Sequence, residues 1–298
     1  MTRFLITGAT GFIGSHLVRA LVSHGEDVHV IVRSSSDLAH LGEIRDCVSI
    51  YTDDGSTDGM IEIARKAGPD IVINLAALFL AAHKSSDVVP LVNANVVFGA
   101  RLLESMARTG VDKLVNISTT WRHYRDASYD PVCLYAATKH AFEALAAYYV
   151  SAEGMKMLTL EFFDTYGPRD SRAKLFALLR RAAADNEPID MSPGEQIIDL
   201  VYIDDALSAI SAAASRLLQN KVPNMETFVV SGGQPKPLRE IVELYAETLG
   251  RRISVRWGAR KYREREVMTP WVNGTPLPGW SPRVSLSDGF RRMEEDHV

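Results

Sequence analysis

The chain has 298 residues, of which 46% are hydrophobic and 23% are charged, and its formal net charge is −4. This length is enough for a sizeable core in one large domain or two small ones. The mild acidity gives no sign of a nucleic-acid or membrane partner, and no apolar run reaches the ~18 residues that a membrane span needs. The chain has two cysteines, Cys47 and Cys133, and their spacing is not that of a metal site, so no bound metal is expected. The low cysteine count and the lack of a secretory leader predict a cytoplasmic protein.

The first motif is a glycine-rich turn at the N-terminus. A short apolar run at 4–6 is typical of a buried strand, and Gly8, Gly11 and Gly14 follow it as an apolar helical pattern begins. Glycines permit a tight turn and close backbone approach, and the helix offers free N–H groups to a pyrophosphate. Because a strand precedes the motif and a helix follows it, the spacing predicts a dinucleotide site. The residues expected to hold the dinucleotide here are Gly8, Thr10, Gly11, Phe12, Ile13 and Gly14.

The end of the second predicted strand, 28–32, indicates which dinucleotide binds. An acidic residue at this point hydrogen-bonds the ribose of NAD, whereas a cation accommodates the 2′-phosphate of NADP. Here Arg33 and Ser34 come first, and no carboxylate occurs until Asp37. The pattern favours NADP(H) and leaves NAD(H) possible, the alternative being that Arg33 is an ordinary solvated side chain.

Strands and helices then alternate along the chain, which predicts an α/β fold with a doubly wound parallel sheet, a Rossmann fold, and a smaller C-terminal substrate-binding region. Further strands are expected at 48–51, 71–77, 113–118, 157–163, 199–205 and 227–231, and helices at 60–66, 89–109, 140–150, 169–186, 205–218 and 238–250. Residues 1–167 with 196–232 are expected to bind the dinucleotide, and 168–195 with 233–298 the substrate. The small residues ending strand four are expected to let the backbone lie against the cofactor, at Leu75, Ala76 and Ala77.

Tyr135 and Lys139 open the helix that follows strand five. Positions i and i+4 share a helix face, so both side chains point together beyond the strand ends. An ammonium beside a phenol favours the charged phenolate, so Lys139 is expected to lower the pKa of Tyr135 and make it a usable acid near neutrality. Alone, this spacing is too common to identify a function.

In combination, the glycine motif, the hydroxyl residues that close strand five and the Tyr135–Lys139 pair resemble the extended short-chain dehydrogenase/reductases. This is the NAD-dependent epimerase/dehydratase family, which acts on nucleotide sugars, and the resemblance runs from Thr2 to the last helix. It implies that Thr119, Tyr135 and Lys139 are catalytic and that the enzyme is a homodimer paired through helices 89–109 and 135–151. Further cofactor contacts implied in this way are Asp53 at the adenine, Asp54, Asn95 near the active-site lysine, Tyr135, Lys139 and Phe162.

Some details depart from the general family. The interval from Thr119 to Tyr135 is short, and Ile198 stands where most members carry an arginine that grips a substrate phosphate. Four segments of the chain resemble the CDP-abequose and CDP-paratose synthases. These segments are 119–121, 134–139, 163–168 and 277–282. These are reductases of 4-keto-6-deoxy or 3,6-dideoxy nucleotide sugars in surface-polysaccharide pathways.

Substrate contacts are expected from the loops after strands five and six, from the basic helix 169–186 and from the arginine-rich tail. They are Thr120, Trp121, Asp164, Thr165, Arg172, Lys174, Arg263 and Arg265. One or both of the last two arginines is expected to replace the missing phosphate clamp, because a guanidinium binds phosphate with two parallel hydrogen bonds. The same basic, aromatic tail is also a pattern of nucleic-acid binding, which the dinucleotide motif and the acidic net charge disfavour.

Three functions remain open. The first is an NADPH-dependent 4-ketoreductase of a nucleotide-linked deoxysugar. The second is a 4-epimerase that retains NAD, which is disfavoured because Arg33 and Ser34 favour NADP(H). The third is a non-catalytic cofactor-binding protein, which is disfavoured because such a protein would be expected to lack Tyr135 or Lys139, and both are present. A 4,6-dehydratase is disfavoured because no acid pair follows Thr119.

Overall fold

A computed structural model describes residues 1–172, 174–185 and 187–295. The strands in this part of the chain are β1 (Arg3–Thr7), β2 (Asp27–Arg33), β3 (Ser49–Asp53), β4 (Ile71–Asn74), β5 (Lys113–Thr119), β6 (Lys156–Phe162), β7 (Asp164–Tyr166), β8 (Ile189–Met191), β9 (Ile197–Ile198), β10 (Leu200–Tyr202), β11 (Met225–Val230), β12 (Lys236–Pro237) and β13 (Val255–Trp257). The α-helices are α1 (Phe12–Ser23), α2 (Thr57–Ala67), α3 (Val88–Val92), α4 (Phe98–Thr109), α5 (Leu134–Glu153), α6 (Leu175–Asp185), α7 (Ile203–Leu218), α8 (Leu238–Leu249) and α9 (Leu286–Glu295).

Seven of the described strands form one parallel sheet in the order β11-β6-β5-β4-β1-β2-β3. Alternate residues of a strand face opposite sides, and both sides are covered here. Ile6 joins the apolar core under α1 and α7, while its neighbour Leu5 joins the core under α2, α4 and α5. The predicted doubly wound Rossmann fold is confirmed. Strand order reverses between β1 and β4, the place where such sheets bind ligands.

A row of buried polar side chains crosses the middle of this sheet. The Thr7 hydroxyl donates to Asn74 (2.7 Å), the Asn74 amide donates to Asn116 (3.5 Å), and the Asn116 amide donates to Thr159 (3.3 Å). All four residues are buried. Because unpaired polar groups are costly in a core, this row favours one register of β1, β4, β5 and β6.

Several element boundaries differ from those predicted. β4 ends at Asn74 rather than 77, because the amide of Ala76 donates to the Thr7 hydroxyl (3.1 Å) instead of continuing the ladder. The predicted helix 89–109 contains a π-helical turn, Asn93–Val97. The predicted strand 199–205 ends at Tyr202, and α7 begins at Ile203.

The basic helix predicted at 169–186 begins only at Leu175. Arg169 has a positive φ of 57°, and the Arg172 guanidinium is bound to Asp170 and to the carbonyl of Thr165, which hold the preceding residues in a turn. Residues 173 and 186 of that predicted range lie outside the described residues.

The C-terminal elements pack on a third apolar core beside the carboxyl ends of the strands. Rings from α6, α8 and α9 meet there, with Phe176, Tyr245 and Phe290 in mutual contact at 5.3–5.5 Å between centroids. Three short strand pairs lie outside the main sheet: β7 with β10, β9 with β12, and β8 with β13. Among the described helices, none is both long and apolar enough to cross a bilayer.

Candidate active site

The glycine turn holds the start of α1 against the loop after β4. Gly8 has a φ of +69°, and a Cβ on it would lie 2.7 Å from the backbone nitrogen of Ala76. A Cβ on Gly14 would lie 2.1 Å from the carbonyl oxygen of Gly8, so neither position accepts another residue without displacement. Within the described residues no side chain caps α1 at Gly11 and no acid lies in its first turn. Its N–H groups therefore suit a diphosphate.

A cavity of about 610 Å³ opens at this turn. Predicted cofactor residues that line it are Gly8, Thr10, Gly11, Arg33, Asp53, Leu75, Ala76 and Ala77. Others lie outside its lining. Phe12 packs under the Arg172 guanidinium (4.4 Å), Ile13 contacts the apolar cores, and Phe162 is buried in the core with its carbonyl oxygen accepting from Thr120. The volume of the cavity, the glycine turn and the free N–H groups at the start of α1 together fit a dinucleotide.

Charge at the far end of this cavity is set by three residues. The Asp53 carboxylate, only 7% exposed, receives two hydrogen bonds from Arg101 at 2.7 and 2.9 Å. Arg33 pairs with Asp53 in the strand register but is itself exposed, and no carboxylate forms an ion pair with it in the described chain. Because Arg101 neutralises Asp53, the guanidinium of Arg33 remains available to an anion.

Two neighbouring residues predicted to contact the cofactor lie outside the cavity lining. The serine that lines the cavity beside Arg33 is Ser36, whose hydroxyl oxygen accepts from the Arg33 amide (3.0 Å), whereas Ser34 is outside the lining. Asp54 also lies outside it, because its carboxylate accepts from the amide and hydroxyl of Ser56 (2.8 Å each) just before α2.

Asn95 supports the site without lining the cavity. Its side chain accepts from the amide of Leu78 (2.8 Å) and donates to the carbonyl of Leu78 and the hydroxyl of Thr138. The Thr138 hydroxyl in turn donates to the carbonyl of Tyr135 (2.7 Å). Asn95 thus ties the loop after β4 to the first turn of α5, next to Lys139.

Tyr135 and Lys139 lie in the first turns of α5. Lys139 is buried, and desolvation lowers its pKa to about 8 while the Glu143 carboxylate opposes the shift. The pKa of Tyr135 is raised, chiefly by desolvation and further by Cys133 and Asp164, with Arg172 opposing. The expected lowering of the phenol pKa by Lys139 is therefore wrong: the loss of water around the phenol outweighs any nearby cation.

The last residue of β5, Thr119, and the next residue, Thr120, differ in their contacts. Thr119 accepts a hydrogen bond from the amide of Trp121 (3.2 Å). Thr120 is buried, donates to the carbonyl of Phe162 (3.4 Å) and lines a small cavity of about 60 Å³ with Trp121 and Asp164. The structure thus brings Thr120 to the wall of this cavity, which Thr119 does not line.

A second large cavity, of about 330 Å³, lies on the substrate side. The predicted substrate residues that line it are Trp121, Asp164, Thr165, Arg172, Lys174 and Arg263. Lys174 pairs with Asp164 at 3.2 Å, and Arg172 pairs with Asp170 at 2.6 Å. Arg180 also lines it and was not predicted. The lining therefore carries four cations and two carboxylates, and Glu294 and Glu266 pair with Arg180 and Arg263 from outside it.

The two tail arginines have different surroundings. Arg263 lies over the Trp121 ring at 5.1 Å, pairs with Glu266 at 2.7 Å and lines both substrate-side cavities. Arg265 pairs with Asp130 and stacks on Tyr124 at 4.3 Å, outside these cavities. The structure therefore brings Arg263 to the substrate-side cavities and leaves Arg265 outside them, so that Arg263 is the better placed of the two candidates.

Sequence reasoning missed a buried ionic cluster behind Lys139. Arg122 contacts both Glu143 of α5 and Glu161 of β6, the latter at 3.1 Å, and the Ser118 hydroxyl donates to Glu143 at 2.6 Å. The His123 ring lies 3.3 Å from Glu161 and stacks on Trp271. The only signal in the sequence was the i+4 spacing of Glu143 from Lys139, because the other partners come from distant elements.

Comparisons with known proteins agree with this geometry. The sequence model of the NAD dependent epimerase/dehydratase family matches residues 4–230. The CDP-abequose synthase of Yersinia pseudotuberculosis is 29% identical over 90% of this chain and 91% of its own, and that of Salmonella typhimurium is 24% identical over 97% and 96%. A solved UDP-glucuronic acid 4-epimerase from Bacillus cereus, in complex with UDP-glucuronic acid and NAD, is 25% identical, with a TM-score of 0.85 over 98% of each chain.

Proposed function

Because the chain belongs to the NAD-dependent epimerase/dehydratase family, we propose that it reduces the C4 keto group of a nucleotide-linked 6-deoxy or 3,6-dideoxy sugar with NADPH. That it is an NAD(P)-dependent nucleotide-sugar enzyme is established by the family match and the relatives above. The sugar, the reductase direction and a CDP nucleotide are supported by the relatives named CDP-abequose synthase.

The observation that carries the cofactor assignment is the exposed Arg33 beside a neutralised Asp53. The carboxylate that binds the ribose hydroxyls of NAD belongs at the end of β2, where this chain has Arg33, and the nearby Asp53 is paired with Arg101. When bound, the reduced dinucleotide supplies a hydride to the keto carbon. Arg33 and Ser36 would hold its 2′-phosphate, and the free N–H groups at the start of α1 would hold its diphosphate.

The chain itself handles the proton and the developing charge. Tyr135, with its pKa raised, keeps its proton at neutral pH and donates it to the oxygen of the carbonyl as negative charge forms there. A hydroxyl of the Thr119–Thr120 pair holds that oxygen, with Thr120 the one at the cavity wall. Lys139, with a pKa of about 8, is largely protonated at neutrality and binds the ribose of the nicotinamide.

On the substrate side, Arg263 replaces the missing family arginine as the diphosphate ligand, aided by Arg172 and Lys174. Residues 1–167 with 196–232 would form the dinucleotide domain, and 168–195 with 233–298 the sugar-nucleotide region. Apolar side chains exposed on α3 and α5, among them Val89 (65%) and Tyr148 (63%), support a homodimer paired through these helices.

A 4-epimerase is the second candidate, supported by the NAD-bound 4-epimerase neighbour. An epimerase returns its hydride to the sugar and keeps its cofactor, whereas a reductase releases oxidised cofactor at every turnover. The test is to denature the purified protein and identify released cofactor, then to follow NADPH oxidation with CDP-, dTDP- and GDP-linked 4-keto-6-deoxysugars. Stoichiometric NADP+ production supports the reductase. Tightly bound NAD with interconversion of 4-epimers and no net NADPH oxidation would overturn it.

A further inference from the structure

Phe79 follows the loop after β4 and stands between the two halves of the site. Its ring contacts the Tyr135 ring edge to face, 5.0 Å between centroids, and the Trp121 ring at 5.6 Å. It is 41% exposed and lines the substrate-side cavity. Phe79 and Trp121 together form an aromatic wall directly beside the proposed proton donor.

This wall offers little to a sugar hydroxyl at Phe79. The phenyl ring has neither donor nor acceptor, and the proposed function assigns the two cations at its rim to the diphosphate. Lys174 lies over the Phe79 ring at 5.3 Å but pairs with Asp164, and Arg263 lies over Trp121 but pairs with Glu266. A hydroxyl placed against Phe79 would give up water without gaining a partner.

We propose that Phe79 selects against a hydroxyl on the sugar carbon that packs beside the reacting carbonyl, so that it is a specificity-determining residue for deoxysugars. The inference rests on the proposed function. If the Tyr135 phenol meets the oxygen on C4, then C3 lies one bond from C4 and C6 lies two. Their substituents are therefore the ones that reach the ring packed against Tyr135. Apolar pockets reject an added hydroxyl by up to about 100-fold, which sets the size of the effect.

The experiment measures kcat/KM in the oxidation direction, with NADP+, for sugar nucleotides that differ only at C6. The probes are 6-deoxyglucose and glucose, each linked to CDP, dTDP and UDP. We expect the wild type to prefer the 6-deoxy member by about 10–100-fold. Phe79→Ser, which supplies a hydroxyl and space, should reduce that preference at least tenfold, chiefly by improving the 6-hydroxy substrate. Phe79→Leu, which stays apolar, should keep it.

Tyr129→Ala is the matched control, because Tyr129 is an aromatic residue of similar exposure (45%) whose ring packs on His140 away from the cavity. It should leave the preference unchanged. A wild-type preference near one, or a preference that Phe79→Ser leaves intact, would overturn this inference while leaving the reductase proposal standing. A wild type that reduces none of the 4-keto-6-deoxysugars named under the proposed function would overturn that function itself, and this inference with it.

Discussion

Arg33 is the residue on which cofactor choice depends. Replacing it with alanine removes the exposed cation at the end of β2 but leaves the Arg101–Asp53 pair in place. Charge-assisted contacts contribute ~1.5–3 kcal/mol, so the Michaelis constant for NADPH should rise at least tenfold and that for NADH only slightly. Steady-state kinetics with both cofactors check this. Arg45→Ala, an exposed arginine outside the cavity, controls for net charge, and equal shifts for both cofactors would show that Arg33 does not read the 2′-phosphate.

Tyr135 is the residue on which the chemistry depends. Tyr135→Phe keeps the ring against Phe79 but removes the proton, so turnover should fall ~10²–10⁴-fold with NADPH affinity nearly intact. Thr120→Val should slow the reaction less, and Thr119→Val least, because Thr120 lines the cavity while Thr119 accepts from the Trp121 amide. Single-turnover NADPH oxidation measures all three. Wild-type turnover in Tyr135→Phe would mean that another group, His123 or Asp164, supplies the proton.

Arg263 and Arg265 make a natural matched pair, two residues apart in the same segment. Arg263→Ala should weaken substrate binding by roughly 10–100-fold, the loss of one charge-assisted contact with a diphosphate. Arg265→Ala removes the same charge but disturbs only the contact with Asp130 and Tyr124, so substrate affinity should stay close to the wild type. Titration calorimetry with a nucleotide sugar distinguishes the two. Unchanged affinity in Arg263→Ala would leave the clamp unassigned.

At the scale of elements, the π-helical turn Asn93–Val97 links the cofactor loop to α5. A single π turn shifts the side chains of a helix relative to its neighbours, and such turns are frequent at functional sites. Here it carries Asn95, which bonds both Leu78 and Thr138. The turn therefore connects the wall of the cofactor cavity to the helix that carries Tyr135 and Lys139.

Asn95→Ala should lower both stability and cofactor affinity, although Asn95 does not line the cavity. Each buried partner left without a hydrogen bond costs about 1–3 kcal/mol, so the free energy of unfolding should fall by about that amount or more. Denaturant titration and NADPH binding measure the two effects. Asn93→Ala is the control, because Asn93 is exposed at the cavity wall and should affect binding with little loss of stability. If Asn95→Ala kept the wild-type stability and the wild-type NADPH affinity, the hydrogen bonds of Asn95 would contribute to neither.

At the scale of the whole molecule, the proposed dimer depends on an apolar face shared by the α3–α4 segment and α5, which pack against each other. Val89 is 65% exposed and Tyr148 is 63% exposed. Replacing both with glutamate should convert a dimer to a monomer in light scattering, because burying two carboxylates opposes association. Val272→Glu, at an exposed apolar residue elsewhere (77%), should leave the oligomeric state unchanged. A wild type that is monomeric at micromolar concentration would contradict the proposal.

Local patterns were enough to predict the general fold and the core of the site. The strand–glycine–helix motif, the alternation of strands and helices and the Tyr135–Lys139 spacing depend on neighbours within a few residues, where backbone geometry and side-chain period act directly. The family match and the parallel sheet confirm the predicted family and fold, while the catalytic roles of Tyr135 and Lys139 stay predictions. Element ends were less accurate. β4 stops at Asn74 because a hydroxyl on β1 captures the Ala76 amide, a contact between segments far apart in sequence.

What the sequence by itself determined was therefore the architecture and the dinucleotide turn, and it predicted the reactive side chains. Only the tertiary structure decided which charges remain available. Asp53 is neutralised by Arg101, 48 residues away, and Arg265 is held by Asp130, 135 residues away, outside the substrate-side cavities. Arg33 faces a cavity with no ion-pair partner among the described residues, and Arg263 faces a cavity while paired with Glu266. It also raised the pKa of Tyr135 rather than lowering it. Burial and ion pairing arise from groups that only folding brings together, so residue spacing predicts which side chains can react, and the packed environment sets their charge.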